Sequence, residues 1–271
     1  MSKLINFKNA VDLMPISTLL AYEGPQNATH AAGDVSDNYN FISTRKVLSS
    51  LDQNAFGVAE YRVTHSKKPE YNGFEKHMIK IQLKDARIGQ DMPQIVLINS
   101  HNRSSGFRIM AGIFRLVCSN GLVVGTTHNA FSVRHVGGNS DKVIDAVYRV
   151  IDQTKLVASE IENWKSKTLT EEAALEFSKQ ALELRFGEKA PMTPGNALHV
   201  RRIEDNGASL WQIFNRVQEN LSSGMRFRTN IVDKNSGRLL RTARKTIQPI
   251  KAIDTDITFN RKLWDIAQKF A

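Results

Sequence analysis

FGVAEYRV at residues 56–63 and HMIKIQL at residues 77–83 decide the fold. In both runs apolar and polar side chains alternate, the pattern of a strand with two unlike faces. A turn-rich stretch, residues 68–73, lies between them, so the pair predicts an antiparallel hairpin. Working outward, residues 94–100 (QIVLINS) predict a third strand, and residues 107–117, 122–125 and 130–136 add further β structure. Asn120-Gly121 suits a tight turn that needs positive φ. Upstream, residues 44–53 predict a short helix with Val47, Leu48 and Leu51 on one face. Residues 1 to 40, with Pro15, Gly24, Pro25 and Gly33, read as a loosely structured segment.

Past Gly137-Gly138 the spacing of apolar residues becomes helical. Asn139 or Ser140 is a candidate cap for a long helix on which Val143, Val147 and Ile151 stack, followed by Leu156, Val157, Ile161 and Trp164. Thr170 opens a second helix that Gly187 closes. After a Pro/Gly connector at 189–197, residues 209–221 predict a third helix stopped by Gly224, and residues 257–270 a terminal amphipathic one. The fold class expected is α+β. A mostly antiparallel, curved sheet is packed by a long helix and followed by a helical C-terminal region with a basic hairpin or loop. The expected division is 1–40 as the N-terminal segment, 41–187 as the α+β core and 188–271 as the helical and basic region.

With 271 residues, 41% hydrophobic and 24% charged, the chain has the composition of a globular protein able to bury a core. No apolar run approaches the ~18 residues a membrane span requires. The N-terminus lacks the apolar stretch of a signal peptide. One cysteine, Cys118, excludes an intrachain disulfide and points to a reducing, cytoplasmic setting.

The charge is unevenly spread. Residues 225–251 read MRFRTNIVDKNSGRLLRTARKTIQPIK. They carry Arg226, Arg228, Lys234, Arg238, Arg241, Arg244, Lys245 and Lys251 against one acid, Asp233. That interval supplies seven of the ten net positive charges. Crowded cations repel one another unless a polyanion relieves them, and a phosphate backbone is the natural candidate. The blander reading is a solvated loop, or one paired with Glu160, Glu162, Glu171, Glu172 and Glu176. Phe227 between two arginines is a candidate for stacking on a base, or is the hydrophobic anchor of the segment. The turn at Asn235-Ser236-Gly237 predicts a hairpin. A second polar constellation, residues 101–108, sets His101, Asn102, Arg103, Ser104, Ser105 and Arg108 on a loop between strands, as a binding loop or a plain polar turn.

Catalytic readings are thin. Cys118 would need His101, His128 or His135 as a base, and its neighbourhood suits a small packed residue. The seven histidines and Cys118 lack zinc-site spacing. Asp254 and Asp256 could hold Mg²⁺ with Asp34, Asp37 or Asp52, as in a nuclease, although Asp-Thr-Asp before a helix is the usual capping pattern. No phosphate-cradling Walker loop occurs in the chain.

Residues 93–125, PQIVLINSHNRSSGFRIMAGIFRLVCSNGLVVG, resemble the signature of the phage- and plasmid-like proteins grouped as domain of unknown function 932. Residues 253–264 (IDTDITFNRKLW) look like the closing block of an enterobacterial prophage subgroup, with Leu184-Arg185-Phe186-Gly187 between them. The resemblance implies mobile DNA as the setting and brings no catalytic residues with it. The order of elements is also similar to that of Rad52-like single-strand annealing proteins, whose curved sheet is crossed by a long helix and whose oligomers hold DNA in a basic groove.

These readings predict a non-catalytic protein, without cofactor or metal, that binds or anneals single-stranded DNA as a homo-oligomer in the bacterial cytoplasm. The expected contacts are Arg226, Arg228, Lys234, Arg238, Arg241, Arg244, Lys245 and Phe227, with Arg103 and Arg108 as secondary ones. The rivals are a host-directed counter-defence protein and a magnesium-dependent nuclease.

Overall fold

The structure is a computed structural model. It describes residues 3–6, 13–33, 35, 38–84, 91–115, 121–123, 130–133, 141–232, 236 and 238–271. The expected turn at Asn120, Cys118 with its candidate bases His128 and His135, and the helix caps Asn139 and Ser140 lie outside them. So do Lys234, Asp34 and Asp37.

Chain contacts divide the protein into two compact units, Met1–Ser159 and Glu160–Ala271. The first is built on an antiparallel sheet. Its strands are β1 (Lys3–Asn6), β2 (Phe56–Val63), β3 (His77–Leu83), β4 (Asp91–Asn99), β5 (Phe107–Arg115), β6 (Gly121–Val123) and β7 (Ala130–Val133). The first five pair in sequence order. β6 and β7 then pair with opposite halves of β5, at Gly112–Phe114 and Phe107–Met110. The hairpin read from alternation is present at the residues that predicted it, with Tyr61 opposite Ile79 and Val58 opposite Ile81.

One face of this sheet makes the core. Val58, Tyr61, Ile79, Ile81, Ile95, Leu97, Ile109 and Ala111 pack with helices α1 (Ile16–Ala21) and α2 (Thr44–Ser49) and with Ala146 and Val150 of the long helix α3 (Asp141–Ser166). The N-terminal segment therefore differs from its sequence reading. Its described part forms β1 against β2 and α1 beneath the sheet, with Met14, Ile16 and Leu19 buried. Elements of four to six residues are too short to display a period, so only tertiary packing reveals them.

The second unit is helical. It holds the last turns of α3, then α4 (Glu171–Phe186), α5 (Pro194–Ala197), α6 (Leu210–Ser222) and α7 (Ile253–Gln268), with a two-stranded ribbon, β8 (Met225–Val232) and β9 (Leu239–Ile247). Its core is aromatic: Trp164 lies 4.1 Å from Trp264 and 5.5 Å from Phe214, centroid to centroid. Because Trp164, near the end of α3, packs with these rings, the division falls inside α3 rather than after Gly187.

The helix ends follow capping chemistry. Thr170 accepts from the Ala173 amide, and Gly187 closes α4 at φ 68°. Ser209 and Gln212 form a reciprocal capping box on α6. Asp254 and Asp256 sit inside the first turn of α7 rather than before it. The cap residue, Ala252, has no side-chain bond to give, so their carboxylates complement the helix dipole instead. Among the described residues no helix is long and apolar enough to cross a membrane.

Candidate nucleic-acid interface

The basic interval is a hairpin, as Asn235-Ser236-Gly237 led one to expect. Gly224, at φ 77°, ends α6 and turns the chain into β8; a Cβ there would meet the Ile247 carbonyl oxygen at 2.5 Å. β8 and β9 pair antiparallel from Met225 opposite Ile247 outward. Directly paired residues share a face, and faces alternate along each strand. Arg226 and Thr246, then Arg228 and Arg244, therefore stand on one side. Met225 and Ile247, Phe227 and Lys245, and the position of Arg241 stand on the other. The cations crowded into one interval of sequence are thus divided between two faces. Three arginines occupy one face, and Lys245 and Arg241 the reverse.

Met225, Phe227 and Ile247 are buried and root the ribbon, whereas β9 is exposed along most of its length. Phe227, 7% exposed, offers too little ring surface for a base to stack on, so its place in the structure is that of the anchor. Arg226, Arg228, Arg238, Arg241, Arg244 and Lys245 are all exposed. None of them pairs with a carboxylate among the described residues. Glu162 pairs with Lys165 instead, at 2.8 Å, and Glu176 accepts from Gln180. Arg228 and Arg244 face each other across the ladder, an arrangement that costs stability through like-charge repulsion. Beside them lies a groove of about 470 Å³ that Asn196, His199, Arg226, Arg228 and Arg244 help to line.

The loop at 101–106 does not present all of its polar groups at one tip. Arg103 is exposed, at φ 63°, but the His101 ring is fully buried, 4.8 Å from Phe41 and 5.6 Å from His77. Arg108 is half-buried and donates to Ser105 Oγ at 3.2 Å. Ser100 Oγ donates to the Ser105 carbonyl and accepts from its amide, both at 2.8 Å, so the loop spends its polar groups on itself. Arg103 and Arg108 belong to the first unit and the ribbon to the second.

Sequence reasoning missed the buried polar chain under this loop. His77 Nδ1 donates to the Glu75 carbonyl at 3.0 Å, which leaves Nε2 to accept from the Thr44 hydroxyl at 2.9 Å. Asn99 Nδ2 donates in turn to Thr44 Oγ1 and to the Ile42 carbonyl. Burial pushes the His77 imidazole down to about 4, against the opposing pull of its bond to Glu75. A polar residue on the inward side of an alternating strand was the available signal. The arrangement ties α2 to the sheet and holds no open position for a ligand. Among the described residues no group of three His, Cys, Asp or Glu side chains could hold a metal ion.

Comparison with known proteins gives the lineage. Residues 31–246 match the family described as domain of unknown function (DUF932). Two Escherichia coli (strain K12) proteins, UPF0380 protein YafZ and UPF0380 protein YfjQ, are each 32% identical over 234 residues, covering 86% of this chain and 82% of theirs. The chain belongs to the DUF932 family. The DUF932 match takes in the whole of the block at 93–125, the loop at 101–106 and the ribbon cations through Lys245. The block at 253–264, which forms most of α7, lies beyond it. No solved structure matches the chain.

Proposed function

We propose that this DUF932 protein is a non-catalytic, single-strand-binding protein of phage or plasmid origin, whose β8–β9 ribbon holds the phosphate backbone. The observation that carries this reading is the arginine face. Arg226, Arg228 and Arg244 stand together, solvated and without carboxylate partners among the described residues, on a ribbon rooted by three buried apolar side chains. A protein gains nothing in stability from such an arrangement, so its use is for an external anion. Cations on both faces suit a flexible single strand that wraps the ribbon, and neutralising strand repulsion while leaving base edges free is what annealing requires. Arg241 and Lys245 then grip from the reverse face, with Arg238 near the outer end.

The test is a salt titration of binding to single-stranded and duplex DNA. Wild type binds single strands with a logarithmic affinity that falls linearly with the logarithm of salt concentration. Reversing Arg226, Arg228 and Arg244 to Glu lowers affinity and cuts that slope by about 2, three phosphate contacts at the single-strand value for each. An unchanged slope overturns the reading. Salt-insensitive binding of a mononucleotide or cyclic nucleotide in the groove at Asn196 and His199 would favour small-ligand capture instead.

A further inference from the structure

The outer end of the ribbon carries a feature that cations alone do not explain. Leu239 and Leu240 are 54% and 62% exposed, adjacent, and flanked by Arg238 and Arg241. Strict alternation would put Leu239 on the same side as Arg241, Lys245 and Phe227. It does not fall there, because the ladder slips by one residue: Ile231 pairs with Arg241, but Val232 pairs with Leu239, leaving Leu240 as an extra residue in β9. Such irregularities re-aim a side chain across a strand. Val232 lies an even number of residues from Arg228, so the position opposite it falls on the face of Arg228 and Arg244. The slip therefore sets an exposed leucine on the arginine face, beyond the phosphate-gripping guanidinium groups.

We infer that Leu239, with Leu240 beside it, is a base-contacting wedge for single-stranded DNA gripped by the arginine face. This rests on the ribbon's binding nucleic acid and deepens that reading. Exposed leucines are unfavourable in water and gain by covering an apolar surface. The surface must belong to a polyanion, because the surrounding cations of the ribbon have no carboxylate partners among the described residues and would repel a second copy of the same ribbon. Nucleic acid alone combines the required charges with flat apolar faces, and aliphatic side chains set among cations are a known means of parting stacked bases. Arginine on phosphate positions the strand, and leucine against a base breaks its stack.

The experiment uses the full chain and an oligonucleotide carrying 2-aminopurine, whose fluorescence rises when the base is unstacked. Wild type raises the signal on binding. The L239S/L240S variant, substituted only at exposed positions, keeps the circular dichroism spectrum and the salt slope, loses roughly tenfold in affinity, and no longer raises the signal. Binding by wild type with the same fluorescence rise in the variant overturns the wedge and leaves the ribbon reading standing. A variant whose salt slope changes also overturns it, since the leucines would then be acting on the phosphate contacts. Absence of wild-type binding overturns both.

Discussion

The sheet and the ribbon treat charge in opposite ways. In the sheet, Glu60 and Lys80 are register partners, both nearly buried, joined at 2.8 Å, and Arg62 reaches the other Glu60 oxygen at 2.7 Å. Burial alone would raise the Glu60 carboxyl; the charges of Lys80 and Arg62, with their hydrogen bonds, overcome it and hold the group below the ordinary carboxylate range. In the ribbon, Arg228 faces Arg244, exposed, with no carboxylate partner for either among the described residues. Charges that are satisfied within the fold serve the fold. Charges left unsatisfied at its surface are available to something else.

That contrast breaks most visibly at Glu60. Glu60→Ala strands two cations in the sheet and is expected to destabilise the first unit by about 3–5 kcal/mol in urea unfolding. A loss below about 1 kcal/mol would mean that the cluster is solvated like a surface pair. Acid probes the same unit next. The folded value of His77 lies below its unfolded one, so its contribution is whole above pH 6.5 and drains as pH falls towards 4. The expected loss across that window is about 3 kcal/mol, absent in His77→Gln, and an equal pH dependence in the variant would clear His77 of the effect. The smallest expected effect is in the ribbon, and it has the opposite sign. Arg244→Thr removes a facing like charge and gains roughly 0.5 kcal/mol of stability while weakening single-strand binding. A substitution that weakened both would make the ribbon's cations structural.

How much of this the sequence disclosed depended on whether local chemistry decided the outcome. Thr170, Gly187 and Ser209 mark their helix ends because a cap is a transaction among neighbours in the chain, and residues 56–63 and 77–83 announce a hairpin because alternation is local too. The polar members of the sheet misled: Lys80 and Gln82 on β3 and Gln94 on β4 are buried although their pattern reads as a water-facing side. The candidate site was half legible. Composition located the cations at 226–245, but their distribution over two faces follows from pairing register, and the position of Leu239 from a single slip in it. His77 and Thr44, far apart in sequence, meet only when the sheet has formed.

The ribbon's attachment has a mechanical consequence. Met225, Phe227 and Ile247 clamp it at the root, and among the described residues no third strand pairs with the ladder beyond. It is a cantilever. Opening costs least where buried contacts are fewest, so its outer rungs yield before those at the base. Local opening of the ribbon is therefore expected to start at the Val232–Leu239 pair and to reach Met225–Ile247 last.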